Sequence, residues 1–238
     1  MIRERLSEMV DRGLVTRTGL ISHGRGEAFD YLMGEKSLNS SLRAEKAAAA
    51  HLLRAKAPVV CVNGNAAALD PENLITLAKE VPAKIEVNIF HRTEKRMELL
   101  ISYMEENGAG EVLGREPDAR IPGLSSDRAL CTKAGIYGSD VILVPIEDGD
   151  RAKALVEMGK IVISIDLNPL SRTSRTATVS ISDEMTRALE NIIAFVREMR
   201  DRQDVVEETI RSFSNENNRL ETIEEICSSL MSESGRGA

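Results

Sequence analysis

Two arginines and four hydroxyl side chains follow directly after one apolar stretch of the sequence. The stretch runs from Ile161 to Ile165, and a tandem Ser-Arg-Thr occupies residues 171–176. Charge-assisted bonds from arginine to phosphate are about twice as strong as neutral hydrogen bonds and are often bidentate. Arg172 and Arg175 therefore predict a phosphate site, although a solvated basic loop would have the same composition.

An acid and an amide lie between this apolar stretch and the tandem, in Asp166-Leu167-Asn168-Pro169. The apolar stretch is typical of a strand buried on both faces, and ligands of open parallel sheets bind just beyond the carboxyl ends of such strands. An acid at a strand end accepts hydrogen bonds from a ribose in dinucleotide-binding folds. We therefore expect a pocket for a ribose and phosphates, while a turn-initiating aspartate before Asn-Pro explains Asp166 about equally well.

Further predicted strands also end in polar residues. These ends are Asn63-Gly64-Asn65, Asn88 with His91 and Arg92, and Glu147 to Asp150. Arg92 and Arg96 lie one helical turn apart near a predicted helix start, which is a good position for an anion. An ordinary turn accounts equally for Asn65, and solvent exposure for Arg96. In a parallel sheet all these ends lie at one edge, so their convergence predicts the site better than any single motif.

The acidic end at Glu147, Asp148 and Asp150 could hold Mg²⁺ through one or two carboxylates or attract an ammonium group. Asp150 is equally well explained as the cap of the following helix. Gly24-Arg25-Gly26 resembles the start of a dinucleotide loop, but Phe29 replaces the third glycine. We expect these glycines to let the backbone approach a ligand while Arg25 supplies charge. Of the histidines, only His23 lies beside this pattern.

The composition is typical of a soluble globular protein. The chain has 238 residues, of which 42% are hydrophobic and 29% charged, enough for one α/β domain with a sizeable core. A net charge of −7 argues against a nucleic-acid partner, and no apolar run approaches the roughly 18 residues of a membrane span. Three cysteines without a CxxC pair support neither a zinc site nor a disulfide framework. We expect a cytoplasmic protein that has no metal-ligand cluster and contacts neither nucleic acid nor a membrane.

Apolar stretches alternate with helical patterns along most of the chain. This alternation predicts an α/β fold with a mostly parallel sheet and helices on both faces. Predicted strands cover 58–62, 84–90, 111–113, 140–146, 161–165 and 177–181; predicted helices cover 2–12, 44–56, 93–107, 151–158 and 184–200, with a further helix beginning at Asp70. Residues 14–22 are predicted as a short strand or extended segment, and 115–133 as a long loop of the kind that is often functional. Ser182 or Asp183 is expected to cap the helix over 184–200.

We expect one domain over residues 1–200 and a polar, helical extension over 201–238. Apolar residues in the extension keep helical spacing, which fits packing on a subunit neighbour or a solvated tail that frays. The final residues, SESGRGA, are expected to be disordered.

Six ordered runs of this sequence match one known family. They are GLISHGRGEAFDYLMGE (19–35), VNGNAAAL (62–69), KIEVNIFHRTEKR (84–96), IPGL (121–124), DVILVPIEDGDRAKALVEMGK (140–160) and IDLNPLSRTSRTA (165–177). The chain resembles the archaeal phosphopantothenate synthetase family (4-phosphopantoate–β-alanine ligase). The resemblance covers most of the chain from Arg3 to about Arg200, and the tail lies outside it. Family members usually begin further upstream of the position of Arg3.

The resemblance implies a homodimer with a Rossmann-like fold, acting in coenzyme A biosynthesis. The implied enzyme is a carbon–nitrogen ligase that uses ATP and Mg²⁺ to condense 4-phosphopantoate with β-alanine to 4'-phosphopantothenate, releasing AMP and pyrophosphate through an acyl-adenylate. The resemblance assigns ATP contacts to Arg3, Arg25, Asp166, Leu167, Asn168, Arg172, Thr173, Glu184 and Met185. Arg25 and Arg172 are the residues expected to stabilise charge on the phosphate oxygens. Asn65, Arg92 and Arg96 are the candidates for phosphopantoate, and Asp148 for the amine or Mg²⁺.

Two other functions fit parts of the sequence. A nucleotide-dependent oxidoreductase could use the same fold, but the incomplete glycine pattern speaks against it. A non-catalytic nucleotide-sensing module could contact a partner through the acidic tail.

Overall fold

The structure, a computed structural model, describes residues 2–234 of the chain. Its strands are β1 (Pro58–Val62), β2 (Lys84–Val87), β3 (Val112–Leu113), β4 (Ala119–Arg120), β5 (Leu130–Cys131), β6 (Val141–Pro145), β7 (Ile161–Ile165) and β8 (Val179–Ile181). Its α-helices are α1 (Ile2–Asp11), α2 (Arg17–Met33), α3 (Asn39–Arg54), α4 (Gly64–Leu69), α5 (Pro71–Glu80), α6 (Glu94–Glu106), α7 (Gly149–Glu157), α8 (Arg172–Thr176), α9 (Met185–Met199), α10 (Gln203–Ser212) and α11 (Asn215–Ser234). None of the helices in this range is long and apolar enough to cross a bilayer.

The main sheet is parallel, with the strand order β3-β2-β1-β6-β7-β8. This confirms the predicted α/β fold. Val60 of β1 lies opposite Ile85 on one side and Leu143 on the other. The chain moves outward from β1 to β3, returns to β6, and then moves outward in the opposite direction to β8. Because the strand order reverses between β1 and β6, this boundary is the switch point at which such sheets bind ligands.

Alternate residues of the central strands face two separate apolar cores. Val60 and Val62 belong to the larger core, which includes residues of α3, α4, α5, α6 and α9. Val59 and Cys61 belong to the smaller core, which includes residues of α7 and of the segment before β6. All five residues of β1 are buried, since side chains of a parallel strand are covered on both faces.

The segment after α1 differs from the prediction of a strand or extended chain. Helix α2 begins at Arg17 because the Thr16 hydroxyl caps it, accepting a hydrogen bond from Gly19 N at 3.0 Å. It ends at Gly34, whose φ of +77° favours glycine. An N-cap side chain outweighed the low helix propensity of the glycines inside α2.

Other boundaries also differ from the predictions. Strand β2 ends at Val87 rather than residue 90. Asp148 rather than Asp150 caps α7, and Glu184 rather than Ser182 or Asp183 caps α9. The predicted loop over 115–133 contains an antiparallel pair, β4 with β5. At both helix caps several polar residues in succession could serve, and the tertiary structure selects one.

The extension after residue 200 forms α10 and α11, which pack on α3 and, for α11, on α2 of the same chain. Val206 is 1% exposed, and Asn215 accepts a hydrogen bond from Ser180 N and donates to Ser174 O. Neither a frayed tail nor packing on a subunit neighbour is needed to explain its helical spacing. Most of the terminal SESGRGA, for which disorder was predicted, lies outside the described residues.

Candidate functional site

A cavity of about 680 Å³ opens at the carboxyl edge of the sheet, across the switch point. We call it the switch-point cavity. Its walls are the residues that follow β1, β2, β6, β7 and β8, together with one side of α2. The predicted site residues that line it are Arg25, Asn65, Arg96, Asp148, Asp166, Leu167, Asn168, Arg172, Thr173, Glu184 and Met185. The convergence predicted from parallel strand ends is therefore present.

The loop after β7 is ordered by its own side chains. The Asp166 carboxylate accepts hydrogen bonds from Asn168 N at 3.0 Å and Ser171 Oγ at 2.5 Å. Burial raises the pKa of Asp166, and these two hydrogen bonds oppose the rise. Ser171 also caps α8, and Thr173 Oγ1 donates to Glu147 O at 2.8 Å. The turn-forming and ligand-binding interpretations of Asp166 are thus compatible, because a carboxylate oxygen has more than one acceptor site.

The two arginines expected to contact phosphate differ in their partners. Arg172 forms an exposed ion pair with Asp150, Nη1 to Oδ1 at 2.9 Å. Arg25 is exposed on α2, and its guanidinium forms no ion pair with any described residue. Helices α7 and α8 meet closely here, since a side chain at Gly149 would lie 2.5 Å from Arg172 Cβ. Both arginines are available to an anion in the cavity.

A buried ionic group lies at the end of β6. Glu147 forms ion pairs with Arg128, at 2.8 Å, and with Arg151, which is fully buried. Asp148 caps α7 through Oδ1, and its Oδ2 lies 3.9 Å from Arg128 Nη1. Sequence reasoning missed Arg128, which lines the cavity; the long loop over 115–133 was the signal that could have found it.

The loop that carries Arg128 is attached to β2 and the residues after it. Asn88 Nδ2 donates to Arg128 O and Leu130 O, at 3.3 and 2.9 Å. The buried Glu86 carboxylate accepts from Thr132 N and Ile136 N. Burial raises the pKa of Glu86, and the hydrogen bonds it accepts oppose the rise. A buried acid with several donors thus holds a long loop in one position.

Arg96 and Asn65 lie on the β1–β2 side of the cavity. The Arg96 guanidinium donates to two carbonyls, His91 O at 2.6 Å and Leu14 O at 3.3 Å, and its buried Nε has no partner among residues 2–234. Desolvation lowers the pKa of Arg96. Asn65 Nδ2 donates to Gly19 O at 2.9 Å. A half-buried arginine with carbonyl partners and no carboxylate within the described range favours an added anion.

Two of the predicted residues do not line the cavity. Arg92 donates to Gly114 O at 2.6 Å and Arg115 O at 3.0 Å, which commits its guanidinium to the loop after β3. Arg3 is exposed on α1. The charge of Arg92 thus has a structural explanation, because its guanidinium bonds to backbone carbonyls and the residue does not line the cavity.

Two further features mark the site. His23 is 8% exposed, lines the cavity and has no partner for Nε2 among the described residues. Burial lowers its pKa, and Glu27 opposes this.

Ile146, between β6 and α7, has a φ of +52°, which is strained for a β-branched residue. Such strain is concentrated at functional sites.

The described residues contain no group of three or more His, Cys, Asp or Glu side chains placed to hold a metal ion. Asp148 lines the cavity, and its Oδ2 accepts no hydrogen bond from the described residues. It fits a cation that arrives already bound to phosphate oxygens.

Fold and cavity together define an α/β protein with a ligand site at the switch point of a Rossmann-like sheet. Residues 40–229 match the phosphopantothenate/pantothenate synthetase family, and the chain belongs to this family. It is 52% identical over 227 residues to a 4-phosphopantoate–β-alanine ligase of Methanosarcina mazei, covering 95% of this chain and 89% of the relative. It is 48% identical over 200 residues to the ligase of the same name from Thermococcus kodakarensis, covering 84% of this chain and 77% of the relative.

These comparisons confirm the resemblance drawn from the six runs. They also correct its limit: the family match reaches residue 229, so the expectation that the tail after residue 200 lies outside the family was wrong. Burial of Val206 and Ile226 agrees with this, since both are 8% exposed or less.

Proposed function

We propose that this chain is an ATP-dependent ligase that condenses 4-phosphopantoate with β-alanine to 4'-phosphopantothenate, in coenzyme A biosynthesis. The observation that carries the proposal is that Arg25 and Arg172 line the same cavity as Arg96. One cavity thus offers cationic groups for a triphosphate and for a separate phosphate. The names of the archaeal relatives support the same reaction.

The two sides of the switch point take different substrates in this proposal. ATP lies over the ends of β7 and β8, where Asp166, Leu167 and Asn168 hold the nucleoside and Arg172 and Thr173 its phosphates. Arg25 faces these residues from α2, and Glu184 and Met185 complete the wall. This assignment follows the polar loop after β7, which offers both hydrogen-bond acceptors and a cation.

Phosphopantoate lies on the opposite side, with its phosphate against Arg96 and Asn65 nearby. Arg96 is suited to this role because it is half-buried and has carbonyl partners alone within residues 2–234. A dianionic phosphate there supplies the charge compensation that desolvation makes favourable. The phosphopantoate carboxylate then points toward the switch point and the α-phosphate of ATP.

The chemistry proceeds in two displacements. A carboxylate oxygen attacks the α-phosphorus, the bond to the bridging oxygen breaks, and pyrophosphate leaves. The β-alanine ammonium group first loses a proton, and the neutral nitrogen then attacks the acyl carbon. The carbon–oxygen bond breaks, AMP leaves, and the nitrogen loses a second proton as the amide forms. Arg25 and Arg172 stabilise the charge that develops on phosphate oxygens, and the cavity supplies orientation.

His23 is the group we assign to accept the proton of the attacking amine. Its imidazole is neutral near pH 7 because burial lowers its pKa, and Nε2 is unengaged by other described residues. Asp148 binds the ammonium group of β-alanine or a Mg²⁺ ion. A Mg²⁺ ion held there would be bound by this carboxylate together with substrate phosphates, and it would supply charge neutralisation for the phosphate oxygens.

We also propose a cytoplasmic homodimer. Arg3 lies outside the cavity of its own chain, and a second copy would be the source of this contact. Gel filtration with light scattering tests the dimer, and a mixture of Arg3→Ala and Arg172→Ala chains tests shared sites. If Arg3 serves the partner's cavity, the mixture regains activity that neither variant has alone.

The reaction is tested with purified protein, ATP, 4-phosphopantoate and β-alanine. We expect AMP and pyrophosphate in equal amounts, and only when both other substrates are present. With ¹⁸O in the phosphopantoate carboxylate, one labelled oxygen is expected in AMP. Formation of ADP and labelled phosphate would replace the adenylate with an acyl phosphate, and absence of turnover in folded protein would reject the ligase.

The substrate assignment is tested with Arg96→Ala. We expect a rise of about tenfold or more in the KM for phosphopantoate, from loss of a charge-assisted contact worth about 1.5–3 kcal/mol, with little change in ATP affinity. Lys95→Ala is the control, because Lys95 lies on the same helix and is exposed outside the cavity. Equal effects of Arg96→Ala on both substrates would reject the separation into two sides.

A further inference from the structure

Helix α2 carries cavity residues but has little apolar anchoring. Of its 17 residues, only His23, Asp30 and Met33 are buried. A helix with so few buried side chains obtains little positional stability from the hydrophobic effect. Met33 and Phe29 near its carboxyl-terminal end join a small apolar cluster with Leu38 and Ile226, so the rest of the helix is placed mainly by polar contacts.

Two such contacts hold the two ends of α2. Near the amino-terminal end, Asn65 Nδ2 donates to Gly19 O at 2.9 Å. Near the carboxyl-terminal end, Asp30 forms an ion pair with Arg187 of α9. His23 and Arg25 lie between these contacts.

The Arg187 guanidinium joins two carboxylates. Its Nη1 donates to Asp30 Oδ2 at 3.2 Å, and its Nε and Nη2 donate to Asp183 Oδ1 at 3.0 and 2.7 Å. The side chain of Arg187 is 28% exposed, that of Asp30 is 11% exposed, and that of Asp183 is fully buried. Burial lowers the pKa of Arg187, but the bonds and charges of the two acids outweigh this and raise it.

Asp183 is also tied to the cavity wall and to α3. Its Oδ1 accepts from Glu184 N at 2.7 Å, and Glu184 lines the cavity. Its Oδ2 is buried without a conventional donor among the described residues. Both carboxylate oxygens of the fully buried Glu45 of α3 also lack a conventional donor among the described residues. Burial, followed by the charge of Asp183, raises the pKa of Glu45 to about 9, and an acid proton on Glu45 would satisfy the unpaired Asp183 oxygen.

We propose that Asp30, Arg187, Asp183 and Glu45 form a positioning network that fixes α2, and with it Arg25 and His23, against the carboxyl end of β8. Of the four residues, Asp183 alone lines the cavity, and the network acts on α2 without contact between these residues and substrate. The network links α2, which carries both side chains, to Glu184 in the cavity wall. Its catalytic consequences rest on the proposed ligase reaction, whereas its effect on α2 does not.

The first experiment measures hydrogen exchange over residues 17–33 by mass spectrometry. Asp30→Asn removes the α2 end of the network and leaves Arg187 paired with Asp183. We expect faster exchange across α2 in Asp30→Asn and Arg187→Gln, and partial rescue in Arg187→Lys, which keeps the charge but lacks the planar fork. Arg197→Gln is the matched control, because Arg197 lies on the same helix in an exposed pair with Glu80.

The second experiment measures catalysis and ATP binding in the same variants. We expect kcat/KM to fall about tenfold to a hundredfold in Asp30→Asn through displacement of the α2 side chains. If Asp30 acts through Arg25, adding Asp30→Asn to Arg25→Ala should cause little further loss of ATP affinity. Independent, multiplicative losses would show that the network does not act through Arg25.

The third experiment uses Glu45→Gln, which keeps a neutral donor beside Asp183. The groups that act on Glu45 are Asp183, Arg187 and Asn191. In the wild type, ionisation of Glu45 as the pH rises through about 9 places two carboxylates together, so exchange of α2 should rise by more than the base-catalysed increase shared by all amides. Glu45→Gln should abolish this pH response.

The outcomes separate the two proposals. Unchanged α2 exchange in both Asp30→Asn and Arg187→Gln overturns the network, whatever the reaction. If α2 exchanges faster in both variants, but the wild-type protein makes no 4'-phosphopantothenate, the network is retained and the ligase is rejected.

Discussion

Two groups of ion pairs lie side by side at the carboxyl edge of the sheet, and they differ sharply in exposure. Glu147, Arg128 and Arg151 have side chains that are 1%, 7% and 0% exposed. Arg172 and Asp150 are 73% and 68% exposed. Each group contains an arginine that lines the switch-point cavity.

This difference in exposure separates ion pairs that fix the structure from ion pairs whose arginine can exchange its partner. Removing one partner of a buried pair leaves an uncompensated charge and costs about 3–5 kcal/mol, so Glu147 and Arg151 cannot change partners readily. An exposed pair is worth only about 0–1 kcal/mol, so Arg172 can leave Asp150 for a phosphate at little cost. Burial, rather than charge, decides which arginine is available to a ligand.

The largest effect is expected for Glu147→Ala, which leaves Arg128 and Arg151 without their carboxylate. The free energy of unfolding should fall by about 3–5 kcal/mol, measured by urea denaturation. Glu147→Gln should lose less, because the amide oxygen still accepts a hydrogen bond. A loss below 1 kcal/mol in Glu147→Ala would contradict the scaffold role.

A smaller loss of stability is expected for Arg128→Ala, about 1–3 kcal/mol, because Glu147 keeps Arg151. The loop over 115–133 loses its contact with the cavity, so kcat should fall about tenfold or more. Arg120→Ala is the control, since Arg120 lies in the same segment, is exposed and bonds only to Leu124 O among described residues. Wild-type kcat in Arg128→Ala would remove this arginine from the site.

Arg172→Ala tests the exposed ion pair of the comparison. Stability should change by less than about 1 kcal/mol, whereas the KM for ATP should rise about tenfold, equivalent to about 1.4 kcal/mol. Lys153→Ala tests the specificity of the effect, because Lys153 forms another exposed pair on α7. A stability loss as large as that of Glu147→Ala would break the distinction between the two groups.

The smallest effect is expected for Asp150→Asn, which releases Arg172 without removing it. Stability should change by less than about 1 kcal/mol, and ATP affinity should stay within about threefold of the wild type or rise, since a competing anion is weakened. Isothermal titration calorimetry at two salt concentrations measures this. Loss of ATP binding would show that Asp150 itself is needed.

Sequence reasoning was most successful where one local signal is sufficient. The runs of β1, β6 and β7 are apolar and β-branched because both faces of a central parallel strand are covered, so their positions were predicted closely. The polar residues that follow these strands were also recognised, because they are contiguous with the apolar runs in the sequence. It was least successful at α2, where Thr16 capping outweighed the glycines, and in the tail, where an acidic composition concealed buried positions such as Val206.

Contacts between distant segments account for what was missed at the site. Arg128 enters the cavity because Glu86 and Asn88 hold a loop some 40 residues away in sequence. Glu45 and Asp183 meet because α3 packs on the start of α9. Arg92, predicted for the site, bonds to carbonyls after β3 instead. No local pattern encodes such pairings.

The order of the six main-sheet strands, the polar composition of the strand ends and the family were determined by the sequence alone, because periodicity, turn residues and ordered motifs are local properties of the chain. Only the tertiary structure decided which charged residues are buried, which pair with one another and which remain available to a ligand. The physical reason is desolvation. An arginine buried against an acid keeps that partner, whereas an arginine surrounded by water can exchange its partner for a ligand. Which of the two applies depends on burial, and burial depends on the packing of the whole chain.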